Sequence, residues 1–135
     1  MQTTQIFDIT FGDCDPAGIV FYPNAFRWMD AVFHTFLRSA GGHQALCQKL
    51  SSIGLGLVDA SARFRHPMHD GDRLNLRISE AKWSQRSLTL NYEGTVDGRR
   101  AFEGNEVRCL FIQSETGIVA GDLAPLRALL EPGDV

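Results

Sequence analysis

Gly12-Asp13-Cys14-Asp15-Pro16-Ala17-Gly18-Ile19-Val20-Phe21-Tyr22-Pro23-Asn24 places two carboxylates in a tight loop just ahead of a helix start. Pro16 fixes its own φ and pushes Asp15 toward extended backbone. Gly12 and Gly18 open conformations that a β-carbon blocks. The apolar run Ile19-Val20-Phe21 separates the acidic loop from Tyr22, and Pro23 suits the first turn of a helix. A carboxylate near the free N–H groups of a helix start is a workable catalytic pair. The carboxylate can attack or take a proton while the N–H groups hold a developing oxyanion. The same residues also fit a surface turn whose Asp caps backbone N–H groups.

Downstream of this loop the pattern is helical. Over 23–40, Phe26, Met29, Phe33 and Leu37 recur at helical spacing, with Trp28, Val32 and Phe36 beside them. So wide an apolar surface belongs to a helix enclosed by other elements, and Gly41-Gly42 stops it. Residues 43–50 suit a short second helix. Upstream, 6–11 reads as a strand with Phe7, Ile9 and Phe11 on one face.

The second half alternates. Over 55–66, Val58, Ala60, Ala62 and Phe64 oppose Asp59, Ser61, Arg63 and Arg65. Leu74, Leu76 and Ile78 form one strand face, Leu88, Leu90 and Tyr92 another, and Val107, Cys109 and Phe111 mark the last. Asp97-Gly98 is a hairpin turn and Thr116-Gly117 a second turn. Residues 124–130 suit a closing helix with Pro125 in its first turn. Clean alternation implies antiparallel strands with one buried face. One long apolar helix and about five such strands are compact when the sheet curls around the helix, an α+β arrangement.

With 135 residues the chain is long enough for one domain with a real core, and we expect a single domain over 1–135. Its 44% hydrophobic and 21% charged residues are those of a globular protein. A net charge of −3 offers no broad nucleic-acid footprint. No apolar run reaches the roughly 18 residues of a membrane span, and the opening residues Met1 to Gln5 lack the pattern of a secretory signal. Cys14, Cys47 and Cys109 are odd in number and scattered. They suit free thiols in a reducing cytoplasm.

The stretch Phe11-Gly12-Asp13-Cys14-Asp15-Pro16-Ala17-Gly18-Ile19-Val20, followed by Tyr22-Pro23-Asn24, Arg27-Trp28 and Asp30, resembles the active-site segment of the 4-hydroxybenzoyl-CoA thioesterase family. Looser similarity runs along most of the chain. The resemblance implies the hotdog fold, an antiparallel sheet wrapped around one long central helix. It also implies homodimers, often joined into tetramers, with substrate sites between subunits. The implied activity is hydrolysis of an acyl-CoA to free acid and coenzyme A. No metal or resident cofactor is needed, since coenzyme A is part of the substrate.

By resemblance, Asp15 falls on the catalytic carboxylate, acting as nucleophile or as general base. Tyr22 falls on the residue whose backbone N–H polarises the thioester carbonyl. Gly18, Ile19 and Pro23 line the same segment. A His often follows the Tyr in related acyl-CoA thioesterases, and Pro23 in its place favours aromatic acyl groups. Asp30 matches a position that faces the acyl ring and contacts a phenolic hydroxyl. Leu55 stands where the namesake has a Thr. Trp83 and Arg86 align with a basic coenzyme A-binding stretch of which only Arg86 keeps its charge, and Arg63, Arg65, Arg99 and Arg100 are further phosphate candidates.

Other residues carry bland alternatives. Asp13 is either an electrostatic neighbour of Asp15 or a cap of the loop. Cys14 lacks a placed His and suits a small buried hydrophobe, and His34 suits packing within the helix. His66 and His69, with Asp70 and Asp72, match no metal-site spacing. Two further functions remain open: a short-chain aliphatic acyl-CoA thioesterase and a non-catalytic acyl-thioester binder. A hydratase of the same fold needs a His near the acidic loop or Tyr22, and none is present there.

Overall fold

The computed structural model describes residues 3–132. Met1, Gln2 and the last three residues of the expected 1–135 domain lie outside them. In chain order the elements are β1 (Thr4–Asp8), α1 (Pro23–Arg38), α2 (His43–Leu50), β2 (Gly54–Phe64), β3 (Arg73–Trp83), β4 (Leu88–Val96), β5 (Arg99–Ser114), β6 (Gly117–Ala120) and α3 (Ala124–Leu130). The strands form one curled sheet ordered β1-β3-β4-β5-β2, every pair antiparallel, with β6 added on β5. The architecture is α+β, with three helices against the sheet.

The face of α1 that carries Ala25, Trp28, Met29, Val32, Phe33, Phe36 and Leu37 is buried. It meets Leu74, Leu76 and Ile78 of β3 and Leu88, Leu90 and Tyr92 of β4 in one apolar cluster. Close approach depends on a missing side chain: a β-carbon on Gly104 would lie 2.6 Å from Met29 Sδ. The two short helices and the Asp97-Gly98 turn fall where the pattern places them, with Asp97 at φ 52° and Gly98 at φ 76°, and the second turn lies one residue earlier than expected, at Glu115-Thr116.

Four expectations need correction. Among the described residues the sheet has six strands rather than five, because β5 runs for 16 residues and turns back at Glu115-Thr116 into β6. The first strand ends at Asp8, and Phe11 begins a single 3-10 turn over Phe11–Asp13, which leaves its ring 78% exposed. The alternation of β2 breaks where its register with β5 shifts between Leu57 and Asp59, and Val58 and Phe64 stay exposed. On β5 the inward face carries Glu106, Arg108 and Leu110, while Val107 and Phe111 are only half-buried. Charges can occupy a core face when they neutralise one another, as Glu106 and Arg108 do.

Candidate active site

The acidic loop is held by its own side chains. Asp13 Oδ2 accepts from Thr10 N at 2.9 Å and from Thr10 Oγ1 at 3.2 Å, and Asp13 Oδ1 pairs with Arg27 at 3.3 Å. Its carbonyl accepts from Phe21 N at 2.9 Å and from Asn24 Nδ2 at 2.8 Å. Asp13 is therefore the cap that fixes the loop against the start of α1. The loop from Asp15 to Ile19 closes through Asp15 N to Ile19 O and Gly18 N to Asp15 O, both 2.9 Å. Gly18 sits at φ 81°, a conformation that any β-carbon would strain. Asp15 Oδ1 accepts from Ala17 N at 2.9 Å, an Asx turn that sets the carboxylate angle. Its Oδ2 takes no hydrogen bond among the described residues.

Tyr22 is the N-cap of α1, with Pro23 at the first helical position. Among the described residues the Tyr22 N–H donates no main-chain hydrogen bond, although the N–H groups of Phe21, Asn24 and Ala25 on either side all do. Asp15, Ile19 and Tyr22 open on one cleft of about 520 Å³, walled by Val20, Phe64, Pro67 and Met68 and rimmed by Arg65 and His66. The walls are apolar, so an acyl chain or ring can lie against them while the polar groups face its carbonyl. Met68 O accepts from Val20 N at 2.8 Å and ties the far wall to the loop.

The remaining residues expected at the site fall into two other groups. Asp30 lies two turns further along α1, about 12 Å from Tyr22. It meets Arg108 of β5, whose register partner on β2 is Leu57, whereas Leu55 pairs with Leu110. Leu55 is 6% exposed, and its N–H donates to His43 Nε2 at 3.1 Å. Trp83 and Arg86 lie at the far end of β3, roughly 30 Å of strand from the turn beside the cleft. Trp83 Nε1 donates to Glu131 Oε2 at 3.1 Å, and Arg86 is exposed. Within one chain neither meets Asp15.

Of the wall from Phe64 to Met68, sequence reasoning named only Arg65, as a phosphate candidate, although the His66-Pro67 turn was visible. It also missed the buried trio Tyr92, Glu106 and Arg108. Two charges on alternate positions of an otherwise apolar strand were the available signal. Burial opposes the Arg108 charge, but its bonds to Glu106, with the charges of Glu106 and Tyr92 and a bond to Asp30, outweigh it and raise its pKa. Burial first, then Glu106, pushes the Tyr92 phenol far above its usual range.

Residues 9–131 match the family model described as thioesterase-like superfamily. The chain belongs to that superfamily. It is an enzyme of thioester hydrolysis, and the resemblance carried by the acidic loop is borne out. The 4-hydroxybenzoyl-CoA thioesterase of Pseudomonas sp. (strain CBS-3) is 29% identical over 130 residues, covering 93% of this chain and 89% of its own length. A gentisyl-coenzyme A thioesterase structure is 30% identical with a TM-score of 0.74, covering 90% of this chain and 95% of that one. A mutant 4-hydroxybenzoyl CoA thioesterase complexed with 4-hydroxybenzoyl CoA gives a TM-score of 0.84 at 24% identity, covering 96% and 99% of the two chains. At that identity it supports the hotdog fold alone. Among the described residues, no helix is long and apolar enough to cross a membrane.

Proposed function

We propose that this thioesterase hydrolyses an aromatic acyl-CoA to the free acid and coenzyme A, with Asp15 and the Tyr22 N–H as its catalytic groups. The observation that carries the reading is their shared cleft, with an open carboxylate oxygen on Asp15 and an N–H on Tyr22 that donates no main-chain bond. A thioester carbonyl seated there directs its oxygen at the Tyr22 N–H, where the positive end of α1 adds to the stabilisation. Asp15 then follows one of two routes. As nucleophile it attacks the carbonyl carbon, expels the thiolate and leaves a mixed anhydride for water to open. As general base it takes a proton from the attacking water. Both end in carboxylate and thiol. The named substrates of the relatives, 4-hydroxybenzoyl-CoA and gentisyl-coenzyme A, support an aryl group.

The same reading takes 1–135 as one hotdog domain with α1 as its central helix, acting as a homodimer or tetramer in a reducing cytoplasm. The edge strand β2 exposes Leu57 and Val58, and a second copy pairing there would cover them. It would also allow Trp83 and Arg86 of one copy to serve the cleft of another. The three free thiols suit that compartment.

The test is thiol release from 4-hydroxybenzoyl-, benzoyl-, phenylacetyl-, butyryl- and palmitoyl-CoA. The expected result is rapid release from aryl substrates, abolished in Asp15→Asn with acyl-CoA binding kept. Equal release from butyryl-CoA would move the chain to short aliphatic substrates. Binding without release would make it an acyl-thioester binder.

A further inference from the structure

Asn24 follows Pro23 in the first turn of α1 and is half-buried. Its side-chain amide has one workable orientation. The Asp13 carbonyl oxygen 2.8 Å away can only accept, so Nδ2 faces it and donates. Oδ1 is then free to accept from Arg27 Nε at 3.4 Å. The Nδ2 bond spans 11 positions of chain and returns to the acidic loop. Asp13 O also accepts from Phe21 N at 2.9 Å, so both of its lone pairs are engaged.

The main chain of Asn24 makes a second contact. Its N–H donates to Phe21 O at 3.0 Å. That oxygen belongs to the peptide unit that carries the Tyr22 N–H. In a planar trans peptide the C=O and the N–H point opposite ways. Holding Phe21 O toward the helix therefore turns the Tyr22 N–H outward, away from α1. The Phe21 N–H, on the preceding peptide, is bonded to the same Asp13 carbonyl that the Asn24 side chain holds. Asp13 in turn lies two residues before Asp15, so one carbonyl ties the carboxylate loop to the peptides around Tyr22. The other side-chain tie is weak: Arg27 Nη2 meets Asp13 Oδ1 at 3.3 Å with the Arg side chain 62% exposed, and such pairs contribute little. The helix itself gains little from asparagine at this position, since Asn is a poor helix former and Tyr22 is the N-cap.

We propose that Asn24 is a positioning residue for thioester hydrolysis: it fixes the direction of the Tyr22 N–H and its placement against the Asp15 loop. This role rests on the acyl-CoA reading above. Asn24 is not among the residues that wall the cleft, so it acts through Tyr22 and not on the substrate. The apolar walls hold the bound acyl group, whereas the N–H matters most as negative charge develops on the carbonyl oxygen. Loss of the Asn24 amide therefore lowers kcat and leaves KM nearly unchanged.

The experiment measures kcat and KM for 4-hydroxybenzoyl-CoA in wild type, Asn24→Leu and Asn24→Asp, and in both Asn24 variants combined with Tyr22→Pro. Asn24→Asp keeps the size and the Oδ1 acceptor and exchanges only the donor, which covers a failure of Asn24→Leu to fold. Each Asn24 variant should lose roughly tenfold or more in kcat, with KM within about twofold. Once Tyr22→Pro has deleted the N–H, the same Asn24 change should lower kcat by less than about twofold further. Equal losses in both backgrounds, or wild-type kcat in the Asn24 variants, would overturn the proposal. A second readout needs no turnover. The chain has only two tyrosines, Tyr22 and Tyr92, so selective nitrogen labelling of tyrosine yields two amide resonances. Phenacyl-CoA, a ketone that keeps the carbonyl without an acyl–sulfur bond, should shift the Tyr22 resonance in wild type and shift it less in Asn24→Asp. A Tyr22 resonance that stays still, or moves equally in both proteins, overturns the proposal. A shift that Asn24→Asp reduces, in a protein whose wild type releases no thiol, sinks the thioesterase reading and keeps the role of Asn24. Thiol release that is indifferent to Asn24 does the reverse.

Discussion

Tyr92 Oη donates a 2.6 Å hydrogen bond to Glu106 Oε1, between residues that are 1% and 2% exposed. The bond joins β4 to β5 on the face that α1 covers. The Tyr92 phenol, raised by burial and then by Glu106, stays protonated at any working pH and so remains the donor. Tyr92→Phe removes that donor without opening a cavity. Glu106 Oε1 keeps its bond from Arg108 Nε, so the loss should fall near the low end for hydrogen bonds to charged groups, about 1.5 kcal/mol. Urea unfolding measures it. A wild-type midpoint would mean that the bond contributes nothing to stability.

The oxyanion role can be probed at the backbone. Tyr22 has φ −55°, which a proline ring accepts. Tyr22→Pro deletes the N–H and keeps the helix start, whereas Tyr22→Phe keeps the N–H and changes only the exposed ring. Loss of one oxyanion donor costs about 10² to 10³ in kcat. Tyr22→Pro should therefore lose at least about a hundredfold in kcat, with circular dichroism unchanged. Retained kcat in that variant would move the oxyanion elsewhere.

Much of this was legible in the sequence. The three helices, the strands β3 and β4 with their buried faces, and the acidic loop followed from periodicity and turn chemistry, because there local preference and burial agree. Failures cluster where a residue answers to a distant partner. Glu106 and Arg108 face inward because they meet each other and Tyr92, and no local pattern encodes that. Val58 leaves the alternation because β2 bulges at an edge with a partner on one side only. Phe11 looked inward by parity, but Thr10 and Asp13 turn the chain first. The cleft was half legible: Asp15, Ile19 and Tyr22 lie within one short segment, while Phe64 to Met68 arrive from the end of β2.

Stability should depend on pH through His34. Burial lowers its pKa below the usual 6.5; Asp30 on α1 opposes the shift, while Arg108 on β5, His43 on α2 and Arg38 on α1 add to it. The unfolded chain then binds more protons than the folded one between the two values. Stability is complete above about pH 6.5 and falls as pH drops toward the folded pKa. Glu103 is held below its usual 4.5, chiefly by its bond from Arg65, and stays ionised across this window. His34→Gln should flatten the difference between urea midpoints at about pH 5 and about pH 7.5. An unchanged slope would place the titration on another group.

Association and activity should fail together at the β2 edge. Val58 is 57% exposed in the bulge, and Leu57 beside it is 49% exposed. Lysine on an edge strand blocks strand addition, and at an exposed position it costs the single chain little, within about 0.5 kcal/mol. Sedimentation velocity should show a dimer or tetramer for the wild type and a monomer for Val58→Lys. Turnover should fall with it, because one chain keeps Trp83 and Arg86 roughly 30 Å of strand away from the turn beside its own Asp15. A monomer that keeps wild-type kcat/KM would show that the Asp15 cleft binds coenzyme A unaided. Arg65 and His66 at its rim would then be the groups to replace next.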